Sequence, residues 1–392
     1  MNRALLHKKV QDFIQENYKE DISKIVLKGS PFEDVTVQEL AIQLHGKRKA
    51  EKKLPTWFHS KGIIYPPKLN LEQTSSEKTA KYKASLINGE NLLDITGGFG
   101  IDSYFFSKNF EKVVHCELDP SLSEVVAHNY SQQEIRNVEL FPGDGIEFLE
   151  HTNHYFSWIY IDPSRRNDSR ERVFHLSDCL PNVPQHLDLL FKKTSGIMIK
   201  TSPLLDLQAG LFALKKVAEI HIIAVDNDVK ELLWILEKNA SETVQIKTFN
   251  FTNKGTETYN NIFGNFSEAN YSEPLSYLYE PNAAIMKSGL FGALGEAFDL
   301  PKLHSNSHLF TSEKFKENFP GRKFEILEVL PFNRKKLKKH LKMDKANITT
   351  RNFPESVERL RQHLKLKEGG EHYLFFTTTI KEEKICIICA KA

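Results

Sequence analysis

Long apolar runs are missing from this chain. No stretch approaches the ~20 residues that span a bilayer, so a transmembrane helix is excluded. The opening residues, MNRALLHKKVQDFIQENYKE, hold neither an apolar h-region nor a small-residue cleavage site, and no secretory leader is expected. Cysteine is scarce: four in 392 residues are too few for a disulfide framework and predict reduced thiols in a cytoplasmic protein. An excess of one charge is also lacking, since the formal net charge is only +2. Distribution matters more than the total. Basic residues cluster at Lys47, Arg48, Lys49, Lys52 and Lys53, and again at Arg334, Lys335, Lys336, Lys338, Lys339 and Lys342. Each block is a candidate for phosphate-backbone contact, and equally a solvated helix face or basic linker. What is present is a hydrophobic content of 40% and a charged content of 27%, ordinary for a globular chain of two or three domains.

Residues 1–85 read as mostly helical, with apolar positions three and four apart in ALLHKKVQDFIQENY and VTVQELAIQLHGKRKA. Asp34 or Thr36 is placed to cap the second of these, and a hydroxyl cap starts another helix near Ser75. From Asn91 the pattern changes to strand, turn and helix, repeated. NLLDI, KVVHCEL, VELFPGD, FSWIYIDP, GIMIKTSP and EIHIIAVDN read as strands, with TVQIKTFNF as a seventh. Strands alternating with helices predict an α/β fold with a parallel, Rossmann-like sheet over residues 86–252. The polar stretch from Thr252 to Glu273 marks a boundary, and beyond it residues 274–320 and 321–392 read as a smaller α+β module ending in a hairpin.

The most informative segment is Leu92-Leu93-Asp94-Ile95-Thr96-Gly97-Gly98-Phe99-Gly100-Ile101-Asp102. Glycines at a strand end let the backbone pass close to a ligand. A dinucleotide site would need a third glycine where Ser103 stands, because the diphosphate sits on the helix N-terminus. A carboxylate, Asp94, stands at the strand tip instead. It suits a ligand with a cationic head, such as the ammonium and sulfonium of S-adenosylmethionine, and suits a diphosphate poorly. Glu117 ends the second strand about twenty residues past the glycines, where a carboxylate accepts ribose hydroxyls, with Asp119 as the alternative. Asp144, between Gly143 and Gly145 after the third strand, could accept the amine of adenine. Any one of these is ordinarily a turn former or cap; three at successive strand ends are harder to dismiss. After the fourth strand, Asp162 can orient or deprotonate a nucleophile, Pro163 fixes the backbone, and Arg165 and Arg166 could hold phosphate.

The stretches D-x-T-G-G-F-G-x-D, E-x-D-P, G-D-G and D-P-S-R-R resemble motifs I to IV of class I methyltransferases. With LEQTSSEKTAKYKASL before the first strand, EPNAAIMKSGL and ANITTRNFP…LRQHLKLKEGG, most of the chain resembles a bacterial group in which the methyltransferase domain is followed by a ferredoxin-like segment and a THUMP-like domain. The resemblance implies S-adenosylmethionine as cofactor, held by Asp94, Thr96, Gly97, Gly98, Gly100 and Asp102, by Glu117 and Leu118, and by Asp144 and Gly145. It puts Gln73, Ser75 and Ser76 near the methionine end. It implies structured RNA, commonly tRNA, as partner, with Asp162, Pro163 and Arg165 at the transfer site, and neither a membrane nor a metal. Ser164 and Arg165 stand where base-methylating relatives carry proline and an aromatic residue, so the acceptor atom does not carry over. Tyr160 and Phe174 are the aromatic residues nearby that could stack on a base.

The C-x-x-C of Cys386 and Cys389 lies in an apolar strand, where residues three apart face opposite sides and chelate poorly. Lys200-Thr201-Ser202-Pro203 and Asp226–Glu231 could line a substrate pocket or cap following helices. Three rival functions remain open on sequence: a nicotinamide or flavin oxidoreductase, an RNA-binding protein with a vestigial cofactor fold, and a methyltransferase of a substrate other than RNA.

Overall fold

Hydroxyl caps set where two of the N-terminal helices begin. The structure, a computed structural model, describes residues 1–165, 175–265 and 267–392. Six helices come first: α1 (Lys8–Asn17), α2 (Ile22–Lys28), α3 (Val37–Lys53), α4 (Pro55–His59), α5 (Lys68–Gln73) and α6 (Glu77–Leu86). Thr36 caps α3, and the Glu39 side chain returns to the Thr36 backbone, closing a capping box. Ser76 caps α6 by accepting from the Thr79 amide.

The alternation then unfolds as the apolar runs predict: β1 (Gly89–Asp94), α7 (Ile101–Phe106), β2 (Phe110–Glu117), α8 (Pro120–Gln132), β3 (Val138–Pro142), α9 (Gly145–His151) and β4 (Phe156–Ile161). A short ribbon of β5 (Ser164–Arg165) and β6 (Cys179–Leu180) precedes α10 (Val183–Lys193), β7 (Thr194–Thr201), α11 (Leu207–Leu214), β8 (Val217–Val225), β9 (Asp228–Glu237), β10 (Gln245–Thr252) and β11 (Gly255–Ile262). The main sheet has nine strands in the order β11-β10-β8-β9-β7-β4-β1-β2-β3. β1 pairs in parallel with β2 and β4, as do β2 with β3 and β4 with β7. Such a sheet is covered on both faces. Trp57, Ala80 and Ala84 from the N-terminal helices join Leu92, Val113, Phe106 and Tyr160 in one buried cluster.

Two strands depart from the expectation. The segment from Asp228 continues not as a capped helix but as β9, reached through a two-residue turn with Asp226 and Asn227 both at positive φ. The polar stretch after Thr252 holds β11, antiparallel to β10. Only Tyr259 of β11 is buried, so its sequence carries little apolar signal.

The second sheet is built from β12 (Tyr277–Pro281), β13 (Phe310–Ser312), β14 (Gly321–Pro331), β15 (Asn347–Arg351), β16 (His372–Thr378) and β17 (Lys384–Lys391), in the order β13-β12-β14-β17-β16-β15. It carries helices α12 (Ala283–Ser288), α13 (Phe291–Phe298), α14 (Arg334–His340) and α15 (Val357–Leu364). β16 and β17 form the expected terminal hairpin. On β17, Cys386 packs with Leu337, Leu360 and Phe376, whereas Cys389 packs with Leu278, Phe324 and Phe375. The two thiols therefore serve different cores, and burial pushes that of Cys386 up to about 12. The chain divides into two compact units, one of Met1–Ala218 with Leu233–Ser241, the other of Glu219–Leu232 with Glu242–Ala392. Among the described residues no helix is long and apolar enough to cross a membrane.

Candidate active site

The loop that leaves β1 is held from both sides. Asp94 is buried, and its carboxylate accepts from the Thr96 amide at 3.0 Å and the Ser103 hydroxyl at 2.6 Å. Burial pushes this carboxyl up to about 7, against those two bonds and with the negative charges of Asp102 and Asp162 adding to it. The Gly97 amide donates to the Cys116 carbonyl at 2.8 Å, and the Gly98 amide to Glu117 Oε2 at 2.8 Å. Gly97 is obligatory for a packing reason: a Cβ there would fall 2.2 Å from Nε2 of His115. That ring is fully buried, and burial holds it neutral, at about 4. Gly98 (φ +56°) and Gly100 (φ +77°) occupy the left-handed region. Among the described residues, a Cβ on Gly98 would have only the Thr96 carbonyl oxygen nearby, at 3.9 Å, so they leave the loop open on that side.

Behind the loop lies a buried polar cluster. Asp102, in the first turn of α7, accepts from Ser75 Oγ at 2.7 Å and from the Tyr160 hydroxyl at 2.9 Å. Its Oδ1 pairs with the ammonium of Lys83 at 3.0 Å, and Lys83 in turn donates to Ser75 Oγ at 2.6 Å. Burial alone would raise the Asp102 carboxyl, but the ammoniums of Lys83 and Lys200 and the hydrogen bonds outweigh it and hold it low. The cluster joins the segment before α6, the start of α7 and the end of β4 at one carboxylate. Tyr160 is thereby removed as a base-stacking residue: it is 1% exposed and its hydroxyl is committed to Asp102.

Asp162 lies just past β4. Its amide donates to Thr96 Oγ1 at 2.6 Å, tying it to the glycine loop, and its Oδ2 accepts from the Lys200 ammonium at the end of β7. Pro163 is buried and Ser164 exposed. The backbone of Arg165 pairs with Cys179; its side chain, with Arg166 and Phe174, lies outside the described residues. Glu117 is half-buried, and its Oε1 accepts from the Asp119 amide at 2.9 Å; Leu118 beside it is exposed. Asp144 caps α9, accepting from Ile146 and Glu147, and Gly145 lets α9 approach the Ile95 backbone, where a Cβ would fall 2.6 Å from the carbonyl oxygen. Ser76 is the cap of α6, and Gln73 is exposed at the end of α5.

A THUMP domain-like family model matches residues 321–391, and a ferredoxin-like domain model matches residues 277–320. The crystal structure of a protein from Porphyromonas gingivalis W83, assigned as a methyltransferase, is similar over 100% of this chain and 98% of its own, at 30% sequence identity and a TM-score of 0.89. This chain belongs to the same family. The family joins a class I methyltransferase fold to ferredoxin-like and THUMP-like domains. Two further structures are similar to smaller parts of this family member. One is yhhF of Escherichia coli, assigned as a methyltransferase, at 17% identity over 42% of this chain and 85% of that one, with a TM-score of 0.32. The other is M. capricolum TrmK in complex with S-adenosylhomocysteine, at 15% identity over 41% and 68%, with a TM-score of 0.33. Similarity at that level says nothing about the chemistry of this site. No curated protein matches the sequence.

Two residues of this site escape a motif-based reading. Ser103 is the side-chain partner of Asp94, nine positions on. Lys83 falls on the inward stripe of α6, with Ala80 and Ala84. A lysine spaced with Ala80 and Ala84 is the signal that would have found it, on a stripe that also buries Glu77 and Thr79.

Proposed function

We propose that the first unit is an S-adenosylmethionine-dependent methyltransferase and that its substrate is RNA. The observation that carries the cofactor part is the loop itself: open at Gly98, with the Glu117 carboxylate on its amide and Asp162 anchored to Thr96. The donor set fits the group. A carboxylate has about four lone-pair positions, and among the described residues two backbone amides occupy two of those on Glu117. The remainder would accept the ribose hydroxyls, and Asp144 would accept the adenine amine. Asp94 would act by shaping the loop, since both its oxygens are already engaged inside the protein. Gln73, Ser75 and Ser76 would border the methionine end. When bound, the cofactor supplies an electrophilic methyl on a good leaving group, so positioning of the acceptor by Asp162 supplies most of the catalysis. The THUMP domain-like match and the exposed lysines of α14 support RNA as the partner.

Calorimetric titration of the purified chain with S-adenosylmethionine and S-adenosylhomocysteine tests this. Saturable binding is expected, with Glu117→Ala weakening it at least about tenfold, the order of one charge-assisted hydrogen bond. A folded protein that binds neither ligand refutes the cofactor assignment. Binding of both ligands with no methyl transfer to any RNA fraction refutes the substrate.

A further inference from the structure

We propose that the group this site methylates is a hydroxyl, an inference that rests on the methyltransferase reading above. The argument begins with what each kind of acceptor demands. An amine nitrogen gathers positive charge as the methyl arrives, so it needs hydrogen-bond acceptors around it and no cation beside it. A hydroxyl is a competent nucleophile only as its proton leaves, so it needs a proton acceptor and a cation close to the developing negative charge.

The transfer site offers the second arrangement. Lys200 donates directly to Asp162, and its side chain is only 11% exposed, so its charge is poorly screened. Asp162 is fixed by its own amide on Thr96 Oγ1, which places acceptor and cation together at the edge of the glycine loop. Among the described residues, the positions that would grip a flat base are committed elsewhere. Tyr160 points into the core and bonds Asp102, while Ser164 enters a two-stranded ribbon with Leu180. In the step, the hydroxyl O–H bond and the methyl–sulfur bond break and an O–CH3 bond forms. The electron pair of the broken methyl bond stays on sulfur, and the proton passes to the Asp162 carboxylate beside Lys200.

The test uses the full chain, S-adenosylmethionine carrying a deuterated methyl group, and an extract of cells from which this protein has been deleted. RNA, protein and small-molecule fractions are digested, and the labelled products are identified by mass spectrometry. Label on oxygen supports the proposal, and label on nitrogen or carbon overturns it. The fraction carrying the label reports separately on the RNA reading: label on nitrogen in RNA sinks the hydroxyl and spares RNA, and label on oxygen elsewhere does the reverse. No label in any fraction, from protein that binds S-adenosylhomocysteine, overturns both. With the labelled substrate in hand, Lys200→Met is expected to lower kcat about a hundredfold or more. Its S-adenosylhomocysteine affinity should stay within about twofold of the parent, with Lys200→Arg recovering part of the rate. An unchanged kcat in Lys200→Met would overturn the role of the ammonium.

Discussion

Lys83 and Asp102 form an ion pair of 3.0 Å in which the lysine side chain has no exposure and the aspartate side chain 10%. The pair ties a helix that precedes the sheet to the helix at the far end of the glycine loop. A buried pair of this kind adds little over an apolar pair, but breaking it leaves a charge without compensation, at about 3–5 kcal/mol. Lys83→Met is therefore expected to lower the thermal midpoint of the first unit strongly. The double variant Lys83→Met with Asp102→Asn should lie nearer the parent than the single one. Calorimetric scans of the three proteins check this, and equal losses in single and double variants would contradict it.

Asp94 gives stability a definite pH dependence. Its carboxyl lies at about 7 in the folded chain against an ordinary 3.8, chiefly through burial. The folded form therefore holds that proton more tightly than the unfolded one. The stability it contributes is complete below about 3.8 and is lost as pH rises towards 7. Asp94→Asn has no such titration. The difference in unfolding midpoint, variant minus parent, should grow from pH 4 to about 7 and level off above it. A difference that does not vary with pH would show that burial is not shifting this group.

The two adjacent glycines should fail differently. Gly97→Ala drives a methyl into the buried His115 ring, 2.2 Å from Nε2, and overpacking of that kind costs about 1–3 kcal/mol. Gly98→Ala meets no described atom closer than the Thr96 carbonyl oxygen at 3.9 Å but sits at φ +56°, a cost of about 1–2 kcal/mol. Its methyl faces the side where the cofactor is proposed to lie. Gly97→Ala should thus lose more stability, and Gly98→Ala more S-adenosylhomocysteine affinity per degree by which the melting temperature falls. Parallel melting and titration of both variants distinguish the two.

The two basic blocks have different fates. On α3, Lys47 donates to the Phe58 carbonyl, Arg48 to those of Tyr18 and Glu20, and Lys53 to those of Leu71 and Glu72. On α14, Arg334 pairs with Glu355 at 3.0 Å, while Lys335, Lys336, Lys338 and Lys339 are exposed. Replacing those four lysines by glutamine should weaken binding of bulk tRNA. It should also reduce the slope of log affinity against log salt by up to about 0.9 for each phosphate no longer neutralised. The same replacement at Lys47, Arg48 and Lys53 should lower the melting temperature instead. Fluorescence anisotropy across a salt series, with a melt of each variant, tests both halves.

The sequence by itself determined the parallel sheet, its glycine loop and the carboxylates at the strand ends. Those features are local: an apolar run, a break and an adjoining amphipathic stretch lie within about twenty residues of one another. It also determined that Cys386 and Cys389 face apart, because a strand alternates its side chains. Tertiary structure decided the rest. The strand β11 is polar enough to pass for a linker, and only its ladder with β10 makes it sheet. Ser75 resembled a helix cap, yet Ser76 performs that role and the Ser75 hydroxyl belongs to Asp102. Tyr160 resembled a stacking residue, yet the end of β4 is buried on both faces of the sheet and the Tyr160 hydroxyl bonds Asp102. Lys83 and Lys200 acquired partners 19 and 38 positions away because helix α6 packs beside α7 and β7 pairs with β4. Charge pairing across that distance depends on packing, and no spacing along the chain encodes it.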